Sequence, residues 1–248
     1  MPRADVQIKT RDGICPASVF TPAGKSGPFP GVLFFMDGLG IRPALNEMAQ
    51  HLADAGYLVL LPDLYYRNGP YAPMIPSQVF SDPKSKENLM KLIGTLGRDR
   101  KISDAGAFID FLSNNPDVKG PRFAATGYCM GGNVALTVAG ALPEKLKAVA
   151  SFHGGGLATD SADSPHLFVQ NILGYVYVAG ATEDANFTPQ QKSALEQALT
   201  KAAIPHLVET YEGAHHGFAV PDHPAHNAAA ADRHWNVLFN LFRKTFAS

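Results

Sequence analysis

In the run Gly127-Tyr128-Cys129-Met130-Gly131 a cysteine sits among small residues, where a β-rich stretch gives way to an apolar helical one. A thiol at the tight turn between a strand and a helix meets unpaired N–H groups and the positive end of the helix dipole, which favour a thiolate. This is also the arrangement of a nucleophile elbow, G-x-S-x-G, with cysteine in the serine position. A thiol nucleophile needs a base, and the base needs an orienting group. Both are present further on, in the order the elbow requires. "ATEDANFTP" supplies Glu183 and Asp184, and "EGAHHGFAVP" supplies His215 and His216. Any one of these is an ordinary loop residue. Three chemistries arriving in order on three loops point to acyl transfer.

The elements around these loops must bring them to one place. "PGVLFFM" (30–36), "YLVLLP" (57–62), "RFAAT" (122–126), "KAVASF" (147–152), "GYVYVAG" (174–180) and "HLVETY" (206–211) read as strands. Between them lie helical patterns. Leu45, Met48, Ala49 and Leu52 share one face of 44–56, and Ile102, Ala105, Ile109 and Leu112 one face of 99–115. Met130 to Leu142 forms another helix. Thr188, Pro189 and Gln191 give a cap, a first-position proline and a capping-box partner for a further one. The last helix is expected from Asn227 to Phe246, with Trp235, Leu238, Phe239 and Phe242 inward. Such alternation predicts an α/β fold with a mostly parallel sheet and helices on both faces. In that fold ligands gather at the carboxyl ends of the strands, where all three loops begin. The N-terminal segment differs: two alternating runs flank Asp12-Gly13, so an antiparallel hairpin is expected there. Residues 1–248 read as a single domain. The segment 66–87, with four prolines, reads as an irregular loop that serves as a lid or pocket wall.

Composition narrows the function classes. The 248 residues are 46% hydrophobic and 17% charged, with a net charge of -1. That balance suits a globular protein and gives no electrostatic reason to expect nucleic acid or an anionic membrane as partner. The start, "MPRADVQIKTRDG", lacks the apolar core of a signal peptide, and no apolar run nears bilayer-spanning length. Two cysteines are too few for a disulfide framework. A cytoplasmic protein is expected, with a monomer as the default. Nothing in the residues calls for a metal or an organic cofactor. His215, His216, His223, His226 and His234 lack the spacing of a His-Glu-x-x-His metal site.

"GYCMGG", the acid loop and "YEGAHHGFA" resemble the dienelactone hydrolase family of α/β-hydrolases, and "FPGVLFFMDGLGIRPALNEMAQHLADAGYLVLLPDLYYR" extends the likeness over nearly the whole chain. The resemblance implies Cys129 as nucleophile, Asp184 as triad acid and His216 as base, the last because the family's histidine stands two residues before the phenylalanine, here Phe218. It implies a small ester or lactone as substrate and no cofactor. In this fold the oxyanion hole uses the N–H after the nucleophile, here Met130, and one from the loop after the third strand, here Gly38 in "MDGLG". The family's thiol-activating glutamate corresponds to Asp37, one methylene shorter, with a bracing role for the loop as the alternative. The family's substrate-binding arginine, four residues after the histidine, corresponds to Val220. Loss of that charge-assisted contact implies a less acidic, more apolar ester or lactone than dienelactone. Tyr65, Tyr66, Tyr71, Phe80, Phe218 and Val220 are candidate pocket walls. The competing readings are a ligand-binding module without catalysis and a redox sensor at Cys129.

Overall fold

The computed structural model describes residues 3–247. Eight strands form one sheet: β1 (Arg3–Thr10), β2 (Gly13–Phe20), β3 (Phe29–Phe35), β4 (Leu58–Pro62), β5 (Val118–Tyr128), β6 (Leu146–Phe152), β7 (Tyr175–Ala181) and β8 (His206–Tyr211). Their order is β1-β2-β4-β3-β5-β6-β7-β8. β2 is antiparallel to both β1 and β4, and the six strands from β4 to β8 are mutually parallel. The expected fold class is the one observed. The hairpin turn is one residue earlier than the Asp12-Gly13 signal suggests. Thr10 pairs with Gly13, so Arg11 and Asp12 make the turn and Gly13, at φ +149°, opens β2.

Seven helices flank the sheet among the described residues: α1 (Pro43–Asp54), α2 (Pro76–Ser81), α3 (Pro83–Gly94), α4 (Arg98–Ser113), α5 (Met130–Ala141), α6 (Pro189–Lys201) and α7 (Ala228–Ala247). Two neighbours on β6 show that both faces are covered. Phe152 packs on His234 of α7, while Ser151 lies against Gly132 of α5. Successive strand side chains point to opposite faces. α1 joins α7 on one face through His51 and Trp235, and α4 packs beside α5 on the other. With both faces covered, the central strands are apolar throughout. Val59, Leu60 and Leu61 of β4 are fully buried, and each such leucine contributes about 2 kcal/mol of transfer free energy.

The segment 66–87 departs from the irregular reading. It holds α2 and the first turn of α3. Its prolines do prevent one continuous helix, yet Pro76 and Pro83 each stand at the first helical position, where the missing N–H costs nothing. Asp82 caps α3 by accepting from the N–H groups of Lys84 and Ser85. In α6 the Thr188 side chain accepts from Gln191 N–H as expected, but the Gln191 Oε1 has no partner, so the capping box is half made.

Candidate active site

Cys129 is the hinge between β5 and α5, with φ 53° and ψ -116°, a conformation that L residues rarely adopt. It is held there by its own N–H, which donates to Phe152 O at 3.1 Å, and by Gly132 N–H, which donates to its carbonyl at 3.1 Å. The turn is possible because its flanks have no side chains. A Cβ on Gly127 would run into the Gly131 carbonyl, and one on Gly131 into the carbonyl oxygens of Phe35 and Met36. Strand β3 and helix α5 therefore meet backbone to backbone, which brings the loop after β3 beside the cysteine.

The other two loops arrive from β7 and β8. The Asp184 side chain is fully buried and accepts from Asn186 N–H at 2.8 Å, Asn186 Nδ2 at 3.2 Å and His216 Nδ1 at 2.7 Å. Nδ1 therefore carries a proton, and His216 lines the same cavity as the Cys129 side chain, which helps to raise its pKa. Glu183 and His215, the neighbours that the residues alone left open, are both exposed. Burial disfavours the His216 cation, but hydrogen bonds and charges from Asp184 and Cys129 outweigh it and raise its pKa to about 10. Burial likewise pushes Asp184 up, and its bonds to His216 and Asn186 bring it below the ordinary value of 3.8.

Gly38 and Met130 both face the cavity beside Cys129. As the first residue of α5, Met130 has an N–H with no intrahelical acceptor. The Gly38 loop is tightly held. Tyr65 Oη donates to Gly38 O at 2.7 Å and lies 3.3 Å from Met130 Sδ. Leu39 N–H donates to Asp37 Oδ1 at 3.0 Å, and Gly40 N–H to Asp37 O at 3.2 Å. Both carboxylate oxygens of Asp37 also accept from Arg42, at 2.7 and 2.8 Å. The contacts of Asp37 are those of a loop brace.

The cavity holds about 640 Å³. Leu39, Phe80, Leu89, Met90, Ile93 and Met130 give it apolar walls, mostly from α2 and α3, and Lys86 is its one lysine or arginine among the lining residues. Of the candidate wall residues only Phe80 lines it. Tyr65 supports the Gly38 loop from behind. Tyr66 is turned toward Thr10 and Asp104, and Tyr71 donates to Asp63 and accepts from Ile41 N–H. Phe218 packs on Tyr211 and His153 in the interior, and Val220 is fully buried. These positions follow strand ends in sequence, but Tyr65, Phe218 and Val220 are buried in the core and Tyr66 and Tyr71 are half-buried against other partners.

Two residues at the site were not singled out from the sequence. His153, directly after β6, lines the cavity with its ring 5.3 Å from that of His216, and neither of its ring nitrogens has a protein partner. Burial, with the like charges of His216, His223 and His234, lowers its pKa well below the ordinary value, so it is a neutral imidazole. The signal was a histidine at the carboxyl end of a parallel strand, "SFHGGG". Arg42 had no such signal. The second cysteine, Cys15, is buried in β2 with its thiol donating to Asp63 O. Among the described residues no group of three or more His, Cys, Asp or Glu could hold a metal ion, and no helix is long and apolar enough to cross a membrane.

Comparison with known proteins gives a consistent family. Residues 15–246 match the model of the dienelactone hydrolase family. A Synechocystis protein whose provisional name is carboxymethylenebutenolidase is 29% identical over 220 residues, which cover 88% of this chain and 87% of that one. The carboxymethylenebutenolidase of Rhodococcus opacus is 24% identical over 247 residues, covering 96% and 90%. A crystal structure from Klebsiella pneumoniae, provisionally titled a dienelactone hydrolase, superposes with a TM-score of 0.83 at 21% identity, covering 97% of this chain and 98% of that one. This likeness speaks for the fold.

Proposed function

The chain belongs to the dienelactone hydrolase family, and from that premise we propose that it hydrolyses a small carboxylic ester or lactone through a thioester on Cys129. The observation that carries the reading is the 2.7 Å bond from His216 Nδ1 to the fully buried Asp184 carboxylate, with His216 and Cys129 lining one cavity. The substrate carbonyl oxygen points at the N–H groups of Gly38 and Met130. The sulfur bonds to the carbonyl carbon with its proton already held on His216, and Asp184 stabilises the charged ring. When the tetrahedral intermediate collapses, the C–O bond breaks and His216 returns the proton to the leaving alkoxide. Water then gives a proton to His216 and attacks the thioester; the C–S bond breaks, the acid leaves and the sulfur is returned beside the charged His216. No step calls on a metal or an organic cofactor.

The walls favour an apolar substrate. Leu39, Leu89, Met90 and Ile93 surround the thiol with hydrocarbon, and the position of the family's arginine is a buried valine. Lys86 is a single cation on the wall formed by α3, and a lysine is a point charge without the bidentate grip of arginine on carboxylate. A neutral aryl ester is therefore the probe. Cys129→Ala, His216→Ala and Asp184→Asn should each lose most of the parent's turnover, and parent-like rates in all three would end the triad reading. A strong preference for carboxylate-bearing lactones over neutral esters would overturn the substrate assignment.

A further inference from the structure

Arg42 is the residue the proposed mechanism leaves unused. Its side chain is 2% exposed, and guanidinium groups are rarely so buried unless paired. All five of its N–H donors are spent. Nη1 and Nη2 donate to the two oxygens of Asp37 at 2.7 and 2.8 Å, and Nη1 also donates to Gly40 O at 3.1 Å. Nε and Nη2 donate to the two oxygens of Asp222 at 2.7 and 2.9 Å.

The partners come from two separate loops. Asp37 and Gly40 frame Gly38 after β3, and Asp222 follows the His216 turn after β8. In the sheet these strands are far apart, with β5, β6 and β7 between them. No ladder sets one loop against the other. The bridge also reaches the cavity wall: His223, next to Asp222, packs against Gly217 and lies 5.0 Å from the ring of Phe80 on α2. Buried ion pairs add little stability over apolar packing of the same volume, whereas their fixed geometry can set a register.

We propose that Arg42 is a positioning residue that holds the Gly38 oxyanion donor and the His216 loop in register for acyl transfer, and that it commits Asp37 to this strut instead of to the Cys129 thiol. The inference rests on the Cys129–His216–Asp184 reading. It separates two effects that a direct Asp37–thiol contact would combine, because the strut acts on the transition state and leaves the resting thiol alone.

The test uses Arg42→Met, Arg42→Lys and Asp222→Asn in the full chain. The readouts are kcat and KM on the neutral aryl ester, the rate of Cys129 alkylation by iodoacetamide at the same pH, and the thermal midpoint. A displacement near 1 Å costs about 100-fold in rate, similar to losing one oxyanion donor. Arg42→Met should therefore lower kcat about 100-fold, with KM and alkylation within about threefold of the parent. Arg42→Lys, which keeps the charge but not the double fork, should recover part of that loss. If Arg42→Met does not fold, Asp222→Asn decides the matter, since it retains Asp37–Arg42; a kcat loss of about tenfold at unchanged alkylation is expected. Parent-like kcat in the folded variants would overturn the proposal. So would a kcat loss matched by an equal loss of alkylation, which would place Arg42 and Asp37 on the thiol. Cys129→Ala serves as the reference: persisting turnover there ends the nucleophile reading itself, whereas loss there beside a parent-like Arg42→Met and Asp222→Asn ends only the strut.

Discussion

Gly131→Ala probes the contact on which the whole site is built. A Cβ at this position would lie 2.7 Å from the carbonyl carbon of Phe35 and closer still to the carbonyl oxygens of Phe35 and Met36, where ordinary contact begins at 3.4 Å. None of these atoms can rotate away. Phe35 is backbone of β3, which is paired with β4 on one side and β5 on the other. Relief requires β3 and α5 to separate by about 1 Å, an overpacking that costs ~1–3 kcal/mol of stability. The effect on rate should be larger. Met36 leads directly to Gly38, and Gly131 follows Met130, so the separation opens the proposed oxyanion hole itself. About 1 Å of misplacement corresponds to about 100-fold in kcat/KM. The assay is steady-state hydrolysis of a neutral aryl ester beside a thermal melt. Gly106→Ala in α4 is the control, because a Cβ there meets nothing within 4 Å. It should raise stability by ~0.5–1 kcal/mol and leave kcat/KM alone. Parent-like kcat/KM in Gly131→Ala, with an unchanged melting midpoint, would show that the β3–α5 contact does not set the site.

Four further outcomes follow from the structure. In a proton-detected titration His216 should stay charged until the pH climbs toward about 10, and in Asp184→Asn its pKa should fall sharply, because burial is then less opposed. The stability that the parent gains from this pair should be flat between about pH 4 and 6.5. It should fade as pH rises through the raised pKa of His216 or falls through the lowered one of Asp184, as denaturant melts across pH would record. Met90→Ala, on the cavity wall at a position 57% exposed, should reduce kcat/KM for a long-chain aryl ester by about threefold to tenfold more than for the acetate, read from paired steady-state rates. Cys15→Ala should leave both turnover and its loss on peroxide treatment unchanged, since that thiol is buried in β2 and the oxidisable one is Cys129.

What the sequence revealed and what it hid have physical reasons. The elbow, the acid and the histidine were legible because each sits where a strand ends, and the parallel order brings strand ends to one edge. The alternation of strands and helices was legible because apolar periodicity is local. Side-chain direction beyond a strand end is not. Tyr65, Tyr66 and Tyr71 read as pocket aromatics but turn toward Gly38 O, Asp104 and Asp63. Prolines counted as breakers at 66–87 concealed two helix starts, although Asp82 before Pro83 was a readable cap. Arg42 was hidden for a different reason. Its partner Asp222 is 180 positions away, and no local pattern marks such a pair. Asp37 was left between an activating carboxylate, by resemblance, and a brace for its loop, and its hydrogen bonds go to Arg42 and Leu39.

In the proposed reaction the acyl group passes through the sulfur of Cys129. Mixing the enzyme with excess p-nitrophenyl acetate, quenching in acid within the first turnovers and sequencing the labelled peptide by mass spectrometry addresses it directly. One acetyl group is expected on the peptide that holds Cys129, labile to hydroxylamine as a thioester is, with neither label nor turnover in Cys129→Ala. An acetyl group on another residue, or undiminished turnover in Cys129→Ala, would contradict it.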